Sequence, residues 1–142
     1  MSIEQTKYEE FVDRMEETYP TMFSEPYGGF AIGEGWWPLV EKLCSSIQSH
    51  IDWKFQCFNG GTPNVVVKQI KEKLGGLRFY YEGGDDYIRG LVDMAESMSY
   101  SICEKCGKPG TVRSGGWIRT LCDEHAKEYN QKIVDDNDEF CF

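Results

Sequence analysis

The sequence predicts an α+β protein in which helices pack on a small antiparallel sheet and a metal-binding module follows. Three observations support this class. Apolar residues recur at helical spacing in three segments, alternating β-branched and aromatic residues flank a glycine pair at 75–76, and cysteines with a histidine cluster within residues 103–125. We therefore expect an α+β domain with a central hairpin over residues 1–100, and a metal-binding module with an acidic tail over residues 101–142.

Composition and charge restrict the functions open to the chain. Of its 142 residues, 40% are hydrophobic, which suffices for a core, and the net charge is −9. Such acidity opposes binding driven by DNA phosphates, although residues 64–82 carry four basic residues against two acidic ones. The first residues show no apolar signal segment and no run is long enough to span a membrane. We therefore expect a cytoplasmic protein, in which disulfides are disfavoured.

The first predicted helix covers residues 2–18. Ser2 and Gln5 form a capping-box pattern at its start, and Pro20 follows its end. The residues that share its apolar face are Tyr8, Phe11, Val12, Met15 and Tyr19. Four glycines and a proline within residues 21–35 then predict a loop or a short irregular strand.

Two further long helices are predicted downstream. Residues 37–51 form one, with Pro38 in its first turn, and residues 86–100 form the other, which Asp85 or Asp86 can cap. The buried stripes expected are Val40, Leu43, Cys44, Ile47 and Ile51 on the first, and Ile88, Leu91, Val92, Ala95 and Ile102 on the second.

Residues 65–82 predict a β-hairpin that turns at Gly75 and Gly76. Alternation places Leu77, Phe79 and Tyr81 on one face of the second strand, toward the core, and Arg78 and Tyr80 on the other. On the first strand, the residues expected to project together are Val67, Gln69, Lys71 and Lys73. We call the cations of this hairpin the basic strip; they are Lys68, Lys71, Lys73 and Arg78.

Cys103, Cys106, Cys122 and His125 have the spacing of a metal site. Two residues separate the ligands within each pair, and fifteen residues lie between the pairs, so all four side chains can reach one ion. Three thiolates and one imidazole form a tetrahedral structural zinc shell. Because four protein ligands leave no open position for water, we expect one structural Zn(II) per chain rather than a catalytic one.

The same segment resembles a treble-clef zinc finger. A Cys-x2-Cys knuckle is followed by Gly107, then by a hairpin turning at residues 114–116, then by a ligand pair at the start of a short last helix that we expect to run through Ile133. The resemblance covers residues 101–134. It implies a metal-binding module, and it implies no particular function, because many unrelated proteins share this finger.

Other catalytic devices are scarce. His50 is the only histidine outside the metal motif, and its place in a helical segment beside Ser49 and Asp52 predicts a solvated side chain. No phosphate-binding loop of the Walker type is present. Cys141 is expected to be an incidental free thiol in the acidic tail.

Two stretches, "KQIKEKLGGLRFYY" and "CEKCGKPG", carry a further resemblance. The chain is similar to small proteins of bacteriophages and prophages that combine a K-x-K-x-GGLR-x-Y hairpin with a terminal Cys-x2-Cys-Gly…Cys-x2-His module. The resemblance covers residues 65–126. It implies an accessory protein acting in the cytoplasm of an infected bacterium, and it supplies no activity.

Three functions remain open. The first is a non-enzymatic accessory protein that counteracts host defence by sequestering a nucleotide-like anionic ligand or occluding a host protein. Cations beside aromatic rings suit such partners. The candidate contacts are Lys68, Lys71, Lys73, Arg78, Tyr80, Trp36 and Trp37. Alternatively, these lysines are solvated charges that protect an edge strand from aggregation.

The second function is a nucleic-acid-binding regulator that uses the zinc finger. Its candidate phosphate contacts are Lys105, Lys108, Arg113 and Arg119. The third is a small nucleotide-modifying enzyme, for which the sequence offers no catalytic constellation.

Overall fold

The computed structural model describes residues 2–58, 61, 63–129 and 132–133. Within them the helices are α1 (Ile3–Thr18), α2 (Trp37–Phe58), α3 (Asp86–Ser99) and α4 (Asp123–Glu128), with a 3-10 turn at Glu34–Trp36. The strands are β1 (Phe30–Ala31), β2 (Val66–Lys73), β3 (Gly76–Glu82), β4 (Thr111–Ser114), β5 (Arg119–Leu121) and β6 (Lys132–Ile133). The α+β class is confirmed, and no helix of the described residues has the length and apolarity needed to cross a membrane.

Helix α1 begins as its capping pattern predicts. The hydroxyl of Ser2 accepts a hydrogen bond from the Gln5 N–H at 3.1 Å, which satisfies one of the free amides of the first turn. Phe11 and Met15 are buried on the face toward the core. The Phe11 ring stacks on that of Trp37, with centroids 4.6 Å apart, and so docks α1 against the start of α2.

Helix α2 continues beyond the predicted end at Ile51 and stops at Phe58. The prediction followed the buried stripe, and that stripe does end at Ile51. The aromatic side chains of the extra turns, Trp53, Phe55 and Phe58, are exposed. No helix-breaking residue occurs between Ile51 and Phe58, so the backbone continues after its apolar face has left the core.

The central sheet is mixed, so the expectation of a purely antiparallel sheet is wrong. β2 and β3 form the predicted antiparallel hairpin, but β1, from the glycine-rich segment, pairs with β2 in parallel. The strand order is β1-β2-β3. Leu77 and Phe79 are buried as predicted and Tyr81 is half-buried, so this face of the hairpin does line the core.

A β-bulge corrects the predicted face of Val67. The pairing register shifts between Val67 and Gln69, so Lys68 has no directly opposed partner on β3. The extra residue turns Val67 to the same side as Ile70, and both are fully buried. Gln69 and Lys73 stay on the solvent face, where the alternation predicted them.

Helix α3 packs on the hairpin and completes the hydrogen bonding of β3. Asp85 caps the helix through its Oδ1, which accepts from the Ile88 N–H. The Ser99 hydroxyl accepts from the Leu77 N–H at 2.9 Å, and the Glu96 carboxylate accepts from the Phe79 N–H at 2.8 Å. The edge amides of β3 are thus satisfied by side chains of α3 instead of a further strand.

The C-terminal region forms a second, smaller sheet. β4 and β5 are the predicted hairpin, and β6 pairs with the other side of β4. The last helix is shorter than predicted, because α4 ends at Glu128 and Ile133 lies in a strand. Cys141 and the rest of the acidic tail lie outside the described residues.

The segment around the 3-10 turn joins the two sheets. The Gly35 N–H donates to the Glu104 carbonyl at 2.7 Å, and the buried Trp36 indole donates to the Ile102 carbonyl at 2.8 Å. At the tip of the central hairpin, the Thr120 hydroxyl donates to the Gly75 carbonyl at 2.6 Å. These bonds cross the predicted domain boundary at residue 100, and that division stays a prediction.

We predict that Gly35→Ala lowers the free energy of unfolding by about 2–4 kcal/mol. A Cβ at this position would overlap the Cys103 carbonyl oxygen, so the junction would have to open. Gly90→Ala is the matched control, because a Cβ at this exposed position of α3 meets nothing within 4 Å, and we expect it to raise the free energy of unfolding by roughly 0.5–1 kcal/mol. Urea denaturation measures both, and equal stability of the two variants would contradict the packing described.

Candidate functional site

Cys103, Cys106, Cys122 and His125 converge at one point, where they lie close enough to ligate one metal ion. Their ligand atoms all lie within 4.8 Å of one another. The Nδ1 of His125 is 3.6 Å from Cys103 Sγ and 3.3 Å from Cys122 Sγ, and the Cys106 and Cys122 sulfurs are 3.8 Å apart. Two pairs of side chains, separated by fifteen residues, therefore form one cluster that could hold a metal ion.

Two local structures position these ligands. The first pair lies in a tight turn over residues 103–107, closed by a hydrogen bond of 2.8 Å from the Gly107 N–H to the Cys103 carbonyl. Gly107 has φ +83°, a left-handed conformation that favours glycine. At the other pair, Cys122 is the residue that precedes α4, and His125 follows within its first turn. This spacing turns both side chains toward the same point.

The thiols are in an environment suited to a cation. Burial raises the pKa of the Cys103 thiol, but hydrogen bonds from neighbouring backbone amides outweigh burial and lower the pKa below its ordinary value. Burial raises the pKa of Cys106, and the adjacent Cys103 and Cys122 thiols raise it further. Three thiolates this close repel one another, and a bound cation removes that repulsion.

The apolar core beside the cluster is small. Its buried members are Cys103, Leu121, Cys122 and Ala126, two of which are ligands themselves. So few apolar groups bury too little surface to hold a lobe together alone, which is the circumstance in which a bound metal contributes most to folding.

The basic strip is partly paired within the chain. Lys68 Nζ lies 2.7 Å from a Glu25 carboxylate oxygen, and an Arg78 nitrogen donates to the Tyr100 hydroxyl at 3.0 Å. Lys71 and Arg78 are directly opposite each other across the hairpin, and Lys71 Nζ is 5.9 Å from the centroid of the half-exposed Tyr80 ring. Lys71, Lys73, Arg78 and Tyr80 share the solvent face.

Trp36 and Trp37, both predicted as ligand contacts, differ in how far they are exposed. Trp36 is fully buried and its indole N–H already donates to the Ile102 carbonyl, so its ring has no surface exposed to a ligand. Its side chain, from the 3-10 turn, belongs to the main apolar core. Trp37 is half-buried, and its indole N–H is buried without a hydrogen-bond partner in the described part of the chain.

The finger cations are largely engaged with the finger itself. Arg113 is buried, where it donates to the Leu121 carbonyl and pairs with Asp123 at 2.8 Å, so it is not available for phosphate. Lys105 Nζ lies 3.2 Å from a Glu128 oxygen. The Arg119 guanidinium lies 4.0 Å from the centroid of the Tyr129 ring. Lys108 is exposed.

His50 is not solvated, contrary to the sequence prediction. Its side chain is only 10% exposed, its Nε2 lies 2.8 Å from Asp85 Oδ2, and its ring stacks on Tyr87 with centroids 4.1 Å apart. The reason is tertiary: the residue that caps α3 meets α2 at this point. Among the described residues no serine hydroxyl bonds to His50, although Ser49 lines the same cavity, so the pair lacks the contact that activates a nucleophile.

A cleft that sequence analysis missed lies where the tip of the central hairpin meets residues 101–129, which carry the cysteine–histidine cluster and which we call the metal lobe. It has a volume of about 740 Å³, within the range of ligand pockets, and its lining includes Glu72, Glu104, Trp117, Arg119 and Tyr129. We call it the junction cleft. Only the exposed position of Trp117 in a glycine-rich turn could have suggested it, because the other four residues come together through tertiary contacts.

Glu104 is the most buried acid of the junction cleft, at 8% exposure. Burial raises the pKa of its carboxyl, the Gly33 amide lowers it, Glu72 raises it and Arg119 lowers it. On balance the pKa of the Glu104 carboxyl is raised, with burial as the largest cause, and Glu72 and Arg119 both lie near enough to contribute to the shift.

Comparison of the chain with protein-family models, with curated proteins and with solved structures finds no match.

We predict that Cys122→Ser weakens metal binding by more than about 100-fold and unfolds the metal lobe. Losing a residue that only hydrogen-bonds a ligand already weakens metal affinity by roughly 10- to 100-fold, and losing a ligand should weaken it more. Cys57→Ser, which changes an exposed thiol of α2, is the control and should behave as wild type. Metal content after dialysis and the amide NMR spectrum of residues 101–129 measure the two effects. A Cys122→Ser protein that keeps its metal would exclude this residue as a ligand.

Proposed function

We propose that this chain is a non-enzymatic accessory protein that is stabilised by one structural Zn(II) in a treble-clef-like finger and that acts by binding an anionic partner through its hairpin. In the context implied by its resemblance to phage proteins, the partner is a nucleotide-like ligand or an acidic surface of a host protein, and binding counteracts a host defence. The metal and the partner site are supported by separate observations.

The distances between ligand atoms support zinc. A tetrahedral site with Zn–S near 2.3 Å and Zn–N near 2.0–2.1 Å places two sulfurs about 3.8 Å apart, and sulfur and nitrogen about 3.6 Å apart. The cluster has 3.8 Å between the Cys106 and Cys122 sulfurs and 3.6 Å between Cys103 Sγ and His125 Nδ1, while Cys122 Sγ lies 3.3 Å from His125 Nδ1 and all the ligand atoms lie within 4.8 Å of one another. Soft thiolates with one imidazole also favour zinc over magnesium or calcium.

The support for a treble clef is the order of the elements. A glycine-containing turn carries the first two ligands, the β4–β5 hairpin follows, and the second ligand pair begins α4. A closed shell of four protein ligands gives the metal a structural role in this proposal.

We predict one zinc per chain in protein purified without added metal. Elemental analysis measures the stoichiometry, and removal by a chelator should lower the midpoint of thermal unfolding, since the metal's binding energy is folding energy here. Protein that is fully folded and contains no zinc would contradict the proposal, as would iron in place of zinc.

The cross-strand pair of Lys71 and Arg78 is the observation that supports the anionic partner. Like charges directly opposite each other on neighbouring strands destabilise a sheet. Lys73 and Tyr80 lie on the same solvent face, one as a further cation and the other as a ring available for stacking. An anion placed over this face offsets the repulsion, and Arg78 offers a planar fork for a phosphate or carboxylate.

The nucleic-acid alternative has less support. Of its four cations, Arg113 is buried in an ion pair and Lys105 is paired with Glu128. The remaining two are too few for the counterion release that drives binding to a nucleic-acid backbone in a chain of net charge −9. The enzymatic alternative depends on His50, which contacts Asp85 but no nucleophile among the described residues.

We predict that Lys71→Glu with Lys73→Glu weakens binding of an anionic partner by at least tenfold, because two attractive charges become repulsive. The probes are mononucleotides, cyclic nucleotides and a poly-glutamate peptide, titrated by calorimetry at about 50 mM and about 300 mM salt. Arg78 is kept, because its bond to Tyr100 is structural. The control is Lys42→Glu with Lys127→Glu, which makes the same charge change on exposed positions elsewhere.

Two results would contradict this site. One is binding of an anionic probe that the hairpin variant and the control variant weaken equally, which would indicate general electrostatics. The other is the absence of binding by every probe in a zinc-loaded, folded protein. Short single-stranded RNA and DNA in the same series test the nucleic-acid alternative.

A further inference from the structure

The junction cleft has the composition of a binding site for a cation. One wall is aromatic: the Trp117 side chain is 71% exposed, which is unusual for so large an apolar group, and Tyr129 lies in the same lining. The acids are Glu72, from the end of β2, and Glu104, from the metal-binding turn. Aromatic faces and carboxylates both attract cations, the former through the ring quadrupole.

Both carboxylates are held in place by the backbone. Glu72 Oε2 accepts from the Gly75 N–H at 2.7 Å, and Glu104 Oε2 accepts from the Gly33 N–H at 2.9 Å. Within the described residues the second oxygen of each carboxylate takes part in no hydrogen bond or ion pair. Each acid therefore has a fixed orientation and retains an oxygen that can accept from a ligand.

The charge of the cleft is unbalanced by one. Among the described residues that line it, two carboxylates stand against the single guanidinium of Arg119. That guanidinium already lies over the Tyr129 ring, at 4.0 Å from the centroid. A second guanidinium would balance the charge of these residues. It could lie against the exposed indole of Trp117, as Arg119 lies against Tyr129, and could donate to the free carboxylate oxygens of Glu72 and Glu104.

We propose that the junction cleft binds a guanidinium group, which is supplied by an arginine side chain of a polypeptide or by a small free guanidine. A planar guanidinium fits better than an ammonium, because it can pack flat on Trp117 while its edge donates to Glu72 and Glu104. A phosphate-bearing ligand fits worse, because it would add negative charge beside two carboxylates. This site lies beyond the anionic-partner site of the basic strip and does not depend on it.

The test uses the zinc-loaded full chain and the indole N–H resonance of Trp117, assigned from a Trp117→Phe spectrum. The probes are the peptide Gly-Gly-Arg-Gly-Gly, the same peptide with citrulline in place of arginine, and agmatine. Citrulline has the shape of arginine without its charge. We expect the arginine peptide to shift the Trp117 resonance and to bind at least tenfold more tightly than the citrulline peptide.

Two variants locate the site. Glu72→Gln keeps an acceptor for the Gly75 N–H but removes the charge, and Trp117→Ala removes the exposed ring, so each should weaken arginine binding by roughly five- to tenfold. Because Trp117→Ala removes the NMR reporter, calorimetry follows all variants. The matched controls, Glu17→Gln on α1 and Trp53→Ala on α2, change an exposed acid and an exposed indole outside the cleft and should leave affinity unchanged.

Each outcome of these titrations either supports or overturns the guanidinium site. Tighter binding of the peptide than of agmatine assigns an arginine side chain as the source, the reverse assigns a small guanidine, and both support the site. Equal binding of the arginine and citrulline peptides overturns the proposal, as does a folded, zinc-loaded protein that binds no guanidinium probe below about 10 mM. Lys71→Glu with Lys73→Glu should not weaken guanidinium binding, because it removes positive charge beside Glu72, so this site and the basic strip can fail independently.

Discussion

The hydrogen bonds of Glu104 hold the metal lobe against the rest of the molecule. Its carboxylate accepts from Gly33, its carbonyl accepts from Gly35, and its own N–H donates to the Thr120 carbonyl of β5. All three partners are backbone groups, and Glu104 itself is buried. A displacement of this residue would leave several buried polar groups without partners, which is among the costliest changes a fold can undergo. The position of Glu104 therefore fixes how the two sheets meet.

This constraint connects the metal centre to the junction cleft. Glu104 lies in the turn between Cys103 and Cys106, so a metal bound by these cysteines would also hold in place the Glu104 carboxylate that lines the cleft. Gly35 contributes by allowing its backbone to approach the Cys103 carbonyl more closely than any side chain would permit. A structural metal can thus affect binding without touching the ligand, because it sets the separation of groups that come from distant parts of the chain.

The features that sequence could predict are those encoded by neighbouring residues. Helical spacing located the helices, and the spacing of the cysteines located the metal cluster, because both signals lie within a few turns of chain. The bulge that turns Val67 inward, the burial of Trp36 and the contact of His50 with Asp85 depend on residues 35 or more positions apart or on the pairing of strands. The continuation of α2 past Ile51 was missed for a related reason. A stripe of apolar residues shows only which part of a helix packs on the core, and the helix can continue into solvent beyond that part.

One strand carries groups of opposite charge to opposite surfaces. Side chains alternate along β2, so Lys71 projects to the solvent face opposite Arg78, while Glu72 projects beside Leu77 toward the junction cleft. Glu72 therefore does not neutralise the basic strip, although it is adjacent to two of its lysines in sequence. In a chain of net charge −9, this alternation keeps a local cationic face on one side of the sheet and places a carboxylate in the cleft on the other. On our two proposals these surfaces take ligands of opposite charge, and a ligand bound to one would leave the other open.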